Sequence, residues 1–160
     1  MNLYKLFEDI KMPDFSDREV SLITDDSRKI QEDCVFFCVK GGSFDGHTKA
    51  EEAIQKGAAA VVTEKDMGLP RQIIVESSRK AYGTACAAWF DHPERKLKFI
   101  GVTGTNGKTS IATLLYNLFT RLGYSCGLLS TIANYVGDKR YEAINTTPGP
   151  MELNSLLAQM

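Results

Sequence analysis

Seven consecutive residues, Gly104-Thr105-Asn106-Gly107-Lys108-Thr109-Ser110, carry the strongest chemical signal in the sequence. Two glycines let a backbone fold tightly and turn its N–H groups toward one point. The lysine after the second glycine can set its ammonium group against β- and γ-phosphate oxygens. The hydroxyl that follows can enter the shell of Mg²⁺, a cation that prefers oxygen ligands and bridges phosphates. A helix starting near Lys108 adds the partial positive charge of its N-terminus. The general form of such a loop has a glycine five residues before Gly107, where Val102 stands, and Gly101 is one place off. Glycine, lysine and hydroxyl still fall in order, which makes this segment a candidate nucleoside triphosphate site with Lys108 as its central charge and Thr109 as a metal ligand. By itself it indicates a nucleotide but not a reaction.

Other polar constellations are weaker. Asp25-Asp26-Ser27-Arg28 reads in isolation as an ordinary Asx or Ser turn. Gly41-Gly42 closes an apolar run and would let a ligand come close to the backbone. His47 beside Asp45 is expected to be a structural histidine bonded across its loop rather than a proton carrier. Asn145-Thr146-Thr147-Pro148 could be a plain lead-in to a helix, and an acid in the first helical turn already explains Glu152. Cys34, Cys38, Cys86 and Cys126 show neither a CxxC pair nor metal-type spacing with the two histidines, so reduced, mostly buried thiols are expected.

The elements that position these residues follow from periodicity. Leu3, Leu6, Phe7 and Ile10 predict a short helix before Pro13. Strands are expected at 21–24, 35–39, 59–63 and 72–75. Thr48 with Glu51 suggests a capping box for a helix stopped by Gly57. Ser77 or Ser78 is expected to cap a helix carrying Ala81, Tyr82, Ala85, Ala88 and Trp89 on one stripe. The charged segment at 91–98 suggests a boundary, giving domains 1–95 and 96–160. Beyond it come a strand at 99–102, a helix with Ile111, Leu114, Leu115, Leu118, Phe119 and Leu122 ended by Gly123, and a strand at 126–130. A hairpin turning at Gly137-Asp138 follows, then a helix opened by Gly149-Pro150. Alternating strands and helices give an α/β class with parallel strands. The second domain offers only two clear central strands, too few to bury both faces of a sheet, so the sequence is expected to be a fragment of a longer protein.

Bulk properties limit the partners. The chain has 160 residues, 43% of them hydrophobic and 24% charged, and a net charge of −1, so no global basic field would attract nucleic acid. The N-terminus lacks the apolar core of a signal peptide, and no run reaches the length of a membrane span. A cytoplasmic location without membrane insertion is expected.

With its flanking Thr103, the loop resembles the ATP loop of the Mur ligases. Asp26-Ser27-Arg28, then Val35-Phe36-Phe37-Cys38-Val39-Lys40-Gly41 and Asp45-Gly46-His47, resemble that family's UDP-sugar-binding N-terminal domain. Asn145-Thr146-Thr147-Pro148 ahead of Glu152-Leu153 is similar to the branch that adds the third amino acid. The resemblance implies a small mixed-sheet UDP-binding domain followed by the start of a parallel-sheet P-loop ATPase domain. It implies an ATP- and Mg²⁺-dependent ligase joining L-lysine or meso-diaminopimelate to UDP-N-acetylmuramoyl-L-alanyl-D-glutamate through an acyl phosphate, in peptidoglycan precursor synthesis. Nucleotide contacts would fall on Gly104, Thr105, Asn106, Gly107, Lys108, Thr109 and Ser110. Uridine and diphosphate contacts would fall on Asp25, Ser27, Gly42, Ser43 and Phe44, and muramoyl-peptide contacts on Asn145, Thr146 and Thr147. The remaining metal ligands and the domain that reads the amino acid would lie beyond Met160, so ligation by this polypeptide alone is not expected. The alternatives are the branch that adds D-alanyl-D-alanine, a P-loop kinase or NTPase with an unrelated N-terminal domain, and a non-catalytic nucleotide-binding module.

Overall fold

Four short apolar runs in the N-terminal half become the strands of one sheet: β1 (Leu22–Thr24), β2 (Cys34–Phe37), β3 (Ala60–Thr63) and β4 (Gln72–Ile74). The computed structural model describes residues 1–7, 18–42, 44–143 and 147–160. Within these the chain divides into two units, Met1–Trp89 and Phe90–Met160.

In the first unit the strands lie in the order β1-β2-β3-β4 and every pair is parallel, with Val35 opposite Ile23 and Ala60. Antiparallel pairing among the described residues of this unit is limited to the bridges Asn2–Glu19 and Lys40–Asp45. All four residues of β2 and of β3 are buried, as expected for parallel strands covered on both faces. Successive side chains point to opposite faces. Phe36 joins Cys34, Cys38 and Val61 in a core with Ala50 and Ala53 of helix α2 (Ala50–Gln55). Phe37 faces the other way, its ring 6.0 Å from Phe7 and 5.0 Å from Tyr82. There α1 (Leu3–Leu6) and α3 (Ser78–Trp89) form the second layer, with Ala81, Tyr82, Ala85 and Ala88 turned inward. Of the predicted first helix, Ile10 lies outside the described residues.

The connection from β3 to β4 is short and has no helix. One side chain organises it. The Gln72 amide donates to the Thr63 hydroxyl at 2.6 Å and to the Lys65 carbonyl at 2.7 Å, while its oxygen accepts from the Met67 and Leu69 N–H groups.

One capping expectation is corrected, and the other, at α3, is met by Ser77 with a second cap from a distant residue. The Thr48 hydroxyl donates to the Asp45 carbonyl instead of closing a box with Glu51, because a 3-10 turn, Gly46–Lys49, runs directly into α2. At α3 the Glu64 carboxylate, brought in by the end of β3, accepts from the Ser78 N–H at 2.9 Å. Ser77 adds only a long bond, 3.4 Å, from the Lys80 N–H. Gly57, at φ 85, ends the α2 region as expected.

The second unit contains α4 (Lys108–Arg121), β5 (Gly127–Leu128), β6 (Ala133–Val136), β7 (Lys139–Glu142) and α5 (Pro150–Gln159). Its sheet, β5-β6-β7, is antiparallel: β6 and β7 are the expected hairpin, and the parallel pairing expected of the second domain is not found among the described residues. Val136 pairs with Lys139 across the two-residue turn Gly137-Asp138, and Gly137 takes the positive φ that such a turn requires. The strand expected at 99–102 does not form. That segment has no regular structure, pairs with nothing among the described residues, and leaves Phe99 and Ile100 exposed. A strand is made by its neighbours, and apolar sequence alone cannot supply them. The predicted stripe of α4 is helical, but Ile111, Leu114, Leu118 and Leu122 are exposed, Leu115 and Phe119 are half-buried, and no residue of the helix is fully buried. Gly123, at φ 87, stops α4 as expected.

Candidate functional site

The segment before α4 folds as a loop because two of its glycines take conformations that side chains resist. Gly104 has φ 147 and Gly107 φ 76. Gly107 is the N-cap of α4 and offers no side chain to cap it, and the first turn holds no acid. The helix end therefore presents backbone N–H groups and partial positive charge outward. Lys108 folds back over its own loop, its ammonium 2.5 Å from the Gly104 carbonyl oxygen and 3.4 Å from that of Thr105. These partners are neutral, so the charge is not cancelled. Thr105, Asn106 and Ser110 are exposed and Thr109 is half-buried, its carbonyl accepting from the Thr113 hydroxyl at 2.8 Å. The residues from Gly104 to Ser110 thus form one exposed concentration of N–H groups and ammonium charge, which suits a polyanion.

A second group gathers at the carboxyl ends of β1 and β2, the edge of a parallel sheet where ligands bind. After β1, the Asp26 N–H donates to the Thr24 hydroxyl. The Asp26 carboxylate accepts from the Arg28 N–H, Nε and Nη2 at 3.0, 2.9 and 2.8 Å. Hydrogen bonding from the Arg28 side chain, more than any other influence, holds this carboxyl at about 2. The turn is thus locally an Asx turn, and it sets exposed Asp25 and half-buried Ser27 at the strand end. After β2, the Lys40–Asp45 bridge and a 2.8 Å bond from the Gly41 N–H to the Phe44 carbonyl close a small loop. Gly42 is exposed with open space around it, and Phe44 is half-exposed. Ser43 lies outside the described residues.

His47 fastens this loop. Its Nε2 accepts from the Glu64 N–H at 3.1 Å, so the proton sits on Nδ1, which donates to Asp45 at 2.7 Å. Both ring nitrogens are engaged in structure, as the sequence suggested. The backbone N–H of His47 also bonds Asp45, and that bond is the first cause of the lowered Asp45 carboxyl. Close approach of the chain to itself occurs at Gly46, where a Cβ would come within 2.9 Å of the Val39 nitrogen.

Of the third predicted group, Asn145 and Thr146 lie outside the described residues. Thr147 is exposed ahead of α5. Three side chains that organise the strand ends escaped the sequence reading: Glu64, Gln72 and Arg79, which bonds the Lys40 carbonyl. Cys34, Cys38 and Cys86 are buried free thiols, and burial pushes Cys38 and Cys86 up to about 12. No group of three or more His, Cys, Asp or Glu residues among those described could hold a metal. No helix among them is long and apolar enough to cross a membrane.

Known family models match both parts of the chain. Residues 19–96 match the model described as Mur ligase family, catalytic domain, and residues 102–160 match Mur ligase middle domain. The chain belongs to the Mur ligase family. Among curated Mur ligases it is 46% identical over 150 residues to the UDP-N-acetylmuramoyl-L-alanyl-D-glutamate–2,6-diaminopimelate ligase of Cytophaga hutchinsonii, covering 91% of this chain and 31% of the relative. The protein of the same name from Parabacteroides distasonis is 42% identical over 146 residues, covering 89% of this chain and 30% of the relative. The chain thus spans about a third of the length of the curated Mur ligases it matches. A solved structure of a ligase of this name shares the fold at a TM-score of 0.76 and 23% identity, over 99% of this chain and 33% of that one. The MurF structure from Acinetobacter baumannii aligns at 0.54 and 20% identity, over 98% and 32%.

Proposed function

We propose that the chain provides the UDP-sugar-binding domain, residues 1–95, and the first part of the ATP-binding domain, residues 96–160, of a cytoplasmic ligase of peptidoglycan precursor synthesis. The reaction joins 2,6-diaminopimelate to UDP-N-acetylmuramoyl-L-alanyl-D-glutamate. The choice of diaminopimelate over lysine rests on the names of the curated relatives given above, which specify it. The observation that carries the reading is the uncapped start of α4, with the Lys108 ammonium held over the Gly104 and Thr105 carbonyls by neutral partners.

ATP, when bound, supplies the phosphoryl group that turns a poor acyl donor, the γ-carboxylate of D-glutamate, into one an amine can attack. The protein's share is positioning and charge. Backbone N–H groups from Gly104 to Thr109 would bind phosphate oxygens, and Lys108 would exchange its carbonyl partners for them. Thr109 would give Mg²⁺ a hydroxyl. Asp25 and Ser27 would hold the uridine. Gly42, Ser43 and Phe44 would lie along the diphosphate, and Asn145, Thr146 and Thr147 along the muramoyl peptide.

The test is a calorimetric titration of the 160-residue chain with Mg·ATP. Lys108→Met should weaken binding by about ten- to a hundredfold, the scale of a lost charge-assisted contact. Equal affinity in the two proteins, or no saturable binding to the unaltered chain, would refute the nucleotide assignment.

A further inference from the structure

Arg79 is the second residue of α3, exposed, and far in sequence from the loop after β2. Its Nη2 nevertheless donates to the Lys40 carbonyl at 3.0 Å, across 39 residues of chain. That carbonyl is at the base of the loop that carries Gly42 and Phe44. A guanidinium has five N–H donors in a rigid fork, so one bond to a neutral oxygen leaves both donors and charge unspent. Among the described residues no carboxylate pairs with Arg79.

Two other positive features of this edge are already committed. Arg28 is held by both oxygens of Asp26. The N-terminus of α3, otherwise a place for an anion, has the Glu64 carboxylate on its Ser78 N–H. Charge for a diphosphate at these strand ends is then left to side chains, and of these Arg79 is anchored on the Lys40 carbonyl beside the loop where such a group would lie.

We propose that Arg79 is a diphosphate-binding residue, its guanidinium gripping the Lys40 carbonyl with one N–H and a substrate diphosphate with others. This rests on the UDP-sugar reading of the first unit and extends it to a residue outside the loops that suggested it. Arg79 thereby adds affinity for the diphosphate, while uridine is held elsewhere.

Two-dimensional NMR titration of the 160-residue chain with UDP and, separately, with uridine tests this. Arg79→Gln should lower UDP affinity about tenfold and leave uridine affinity and the melting temperature unchanged. Arg79→Lys, which keeps the charge but not the fork, should fall between. The UDP affinity of the unaltered chain should also decline more steeply with salt than that of R79Q. Equal weakening of UDP and uridine would make Arg79 a brace for the loop only, and unchanged UDP affinity would remove it from the site; either result overturns the proposal. Failure of the unaltered chain to bind either ligand would instead bring down the UDP-sugar reading itself, and this inference with it.

Discussion

In the first unit every side chain of β2 and β3 is buried, whereas α4 in the second carries an equally regular apolar stripe and fully buries none of it. Phe36 has no exposed surface; Leu114 is 67% exposed. The difference lies in the layers. Around β2 and β3 both faces of the sheet are covered, by α2 on one side and by α1 and α3 on the other. In the second unit the segment at 99–102 pairs with nothing described, and the antiparallel β5-β6-β7 sheet leaves the outer stripe of α4 uncovered. Amphipathic spacing can specify a helix, but a facing layer decides whether the stripe is a core.

Substitutions can break or sharpen that contrast. Phe36→Ala should cost about 3–5 kcal/mol in denaturant unfolding, as expected for a large cavity in a closed core. A cost below about 1 kcal/mol would mean that the first unit is much looser than its burial indicates. Gly46→Ala should cost about 1–3 kcal/mol, because the new Cβ would press on the Val39 and Cys38 backbone, which has no rotamer to give. A neutral result would show that the loop before α2 can shift away from β2.

The strand-end turn offers a smaller, electrostatic test. The Asp26 carboxyl is lowered from 3.8 to about 2 by the Arg28 side chain. A group with a depressed folded value stabilises above its unfolded value and loses that contribution as pH falls through the folded one, so the window is roughly pH 4 down to 2. The turn is open to solvent, so screening keeps the effect on stability small. Carboxyl NMR should show Asp26 titrating near the lower end of that window and Arg28→Gln returning it toward the ordinary range. No movement in the variant would separate the two side chains in solution. Least of all should be felt from Leu114→Ala, within about 0.5 kcal/mol. A loss comparable to that at Phe36 would show that the α4 face is covered in solution, and the contrast between the units would disappear.

Features set by neighbouring residues could be read from the sequence. The loop at Gly104–Ser110, the stops at Gly57 and Gly123 and the turn at Gly137-Asp138 all depend on a few adjacent side chains. What could not be read depended on distant partners. The run at 99–102 has strand composition but no strand beside it. Thr48 and Glu51 have capping-box spacing, yet Asp45 begins a turn first and takes Thr48 for itself. Glu64 reaches Ser78 across 14 positions, and Arg79 reaches Lys40 across 39. No local pattern announces such bonds, although an uncapped helix start after a strand invites a search for a carboxylate nearby.

The link between β3 and β4 has a consequence for how this fold tolerates change. Parallel neighbours are ordinarily joined by a helix that can lengthen or shorten by a turn without disturbing the strands. Here a single amide holds the chain at four points, from the Thr63 hydroxyl to the Leu69 N–H. Loop length and the identity of Gln72 are therefore one variable, and an insertion there cannot be absorbed without releasing the outermost strand.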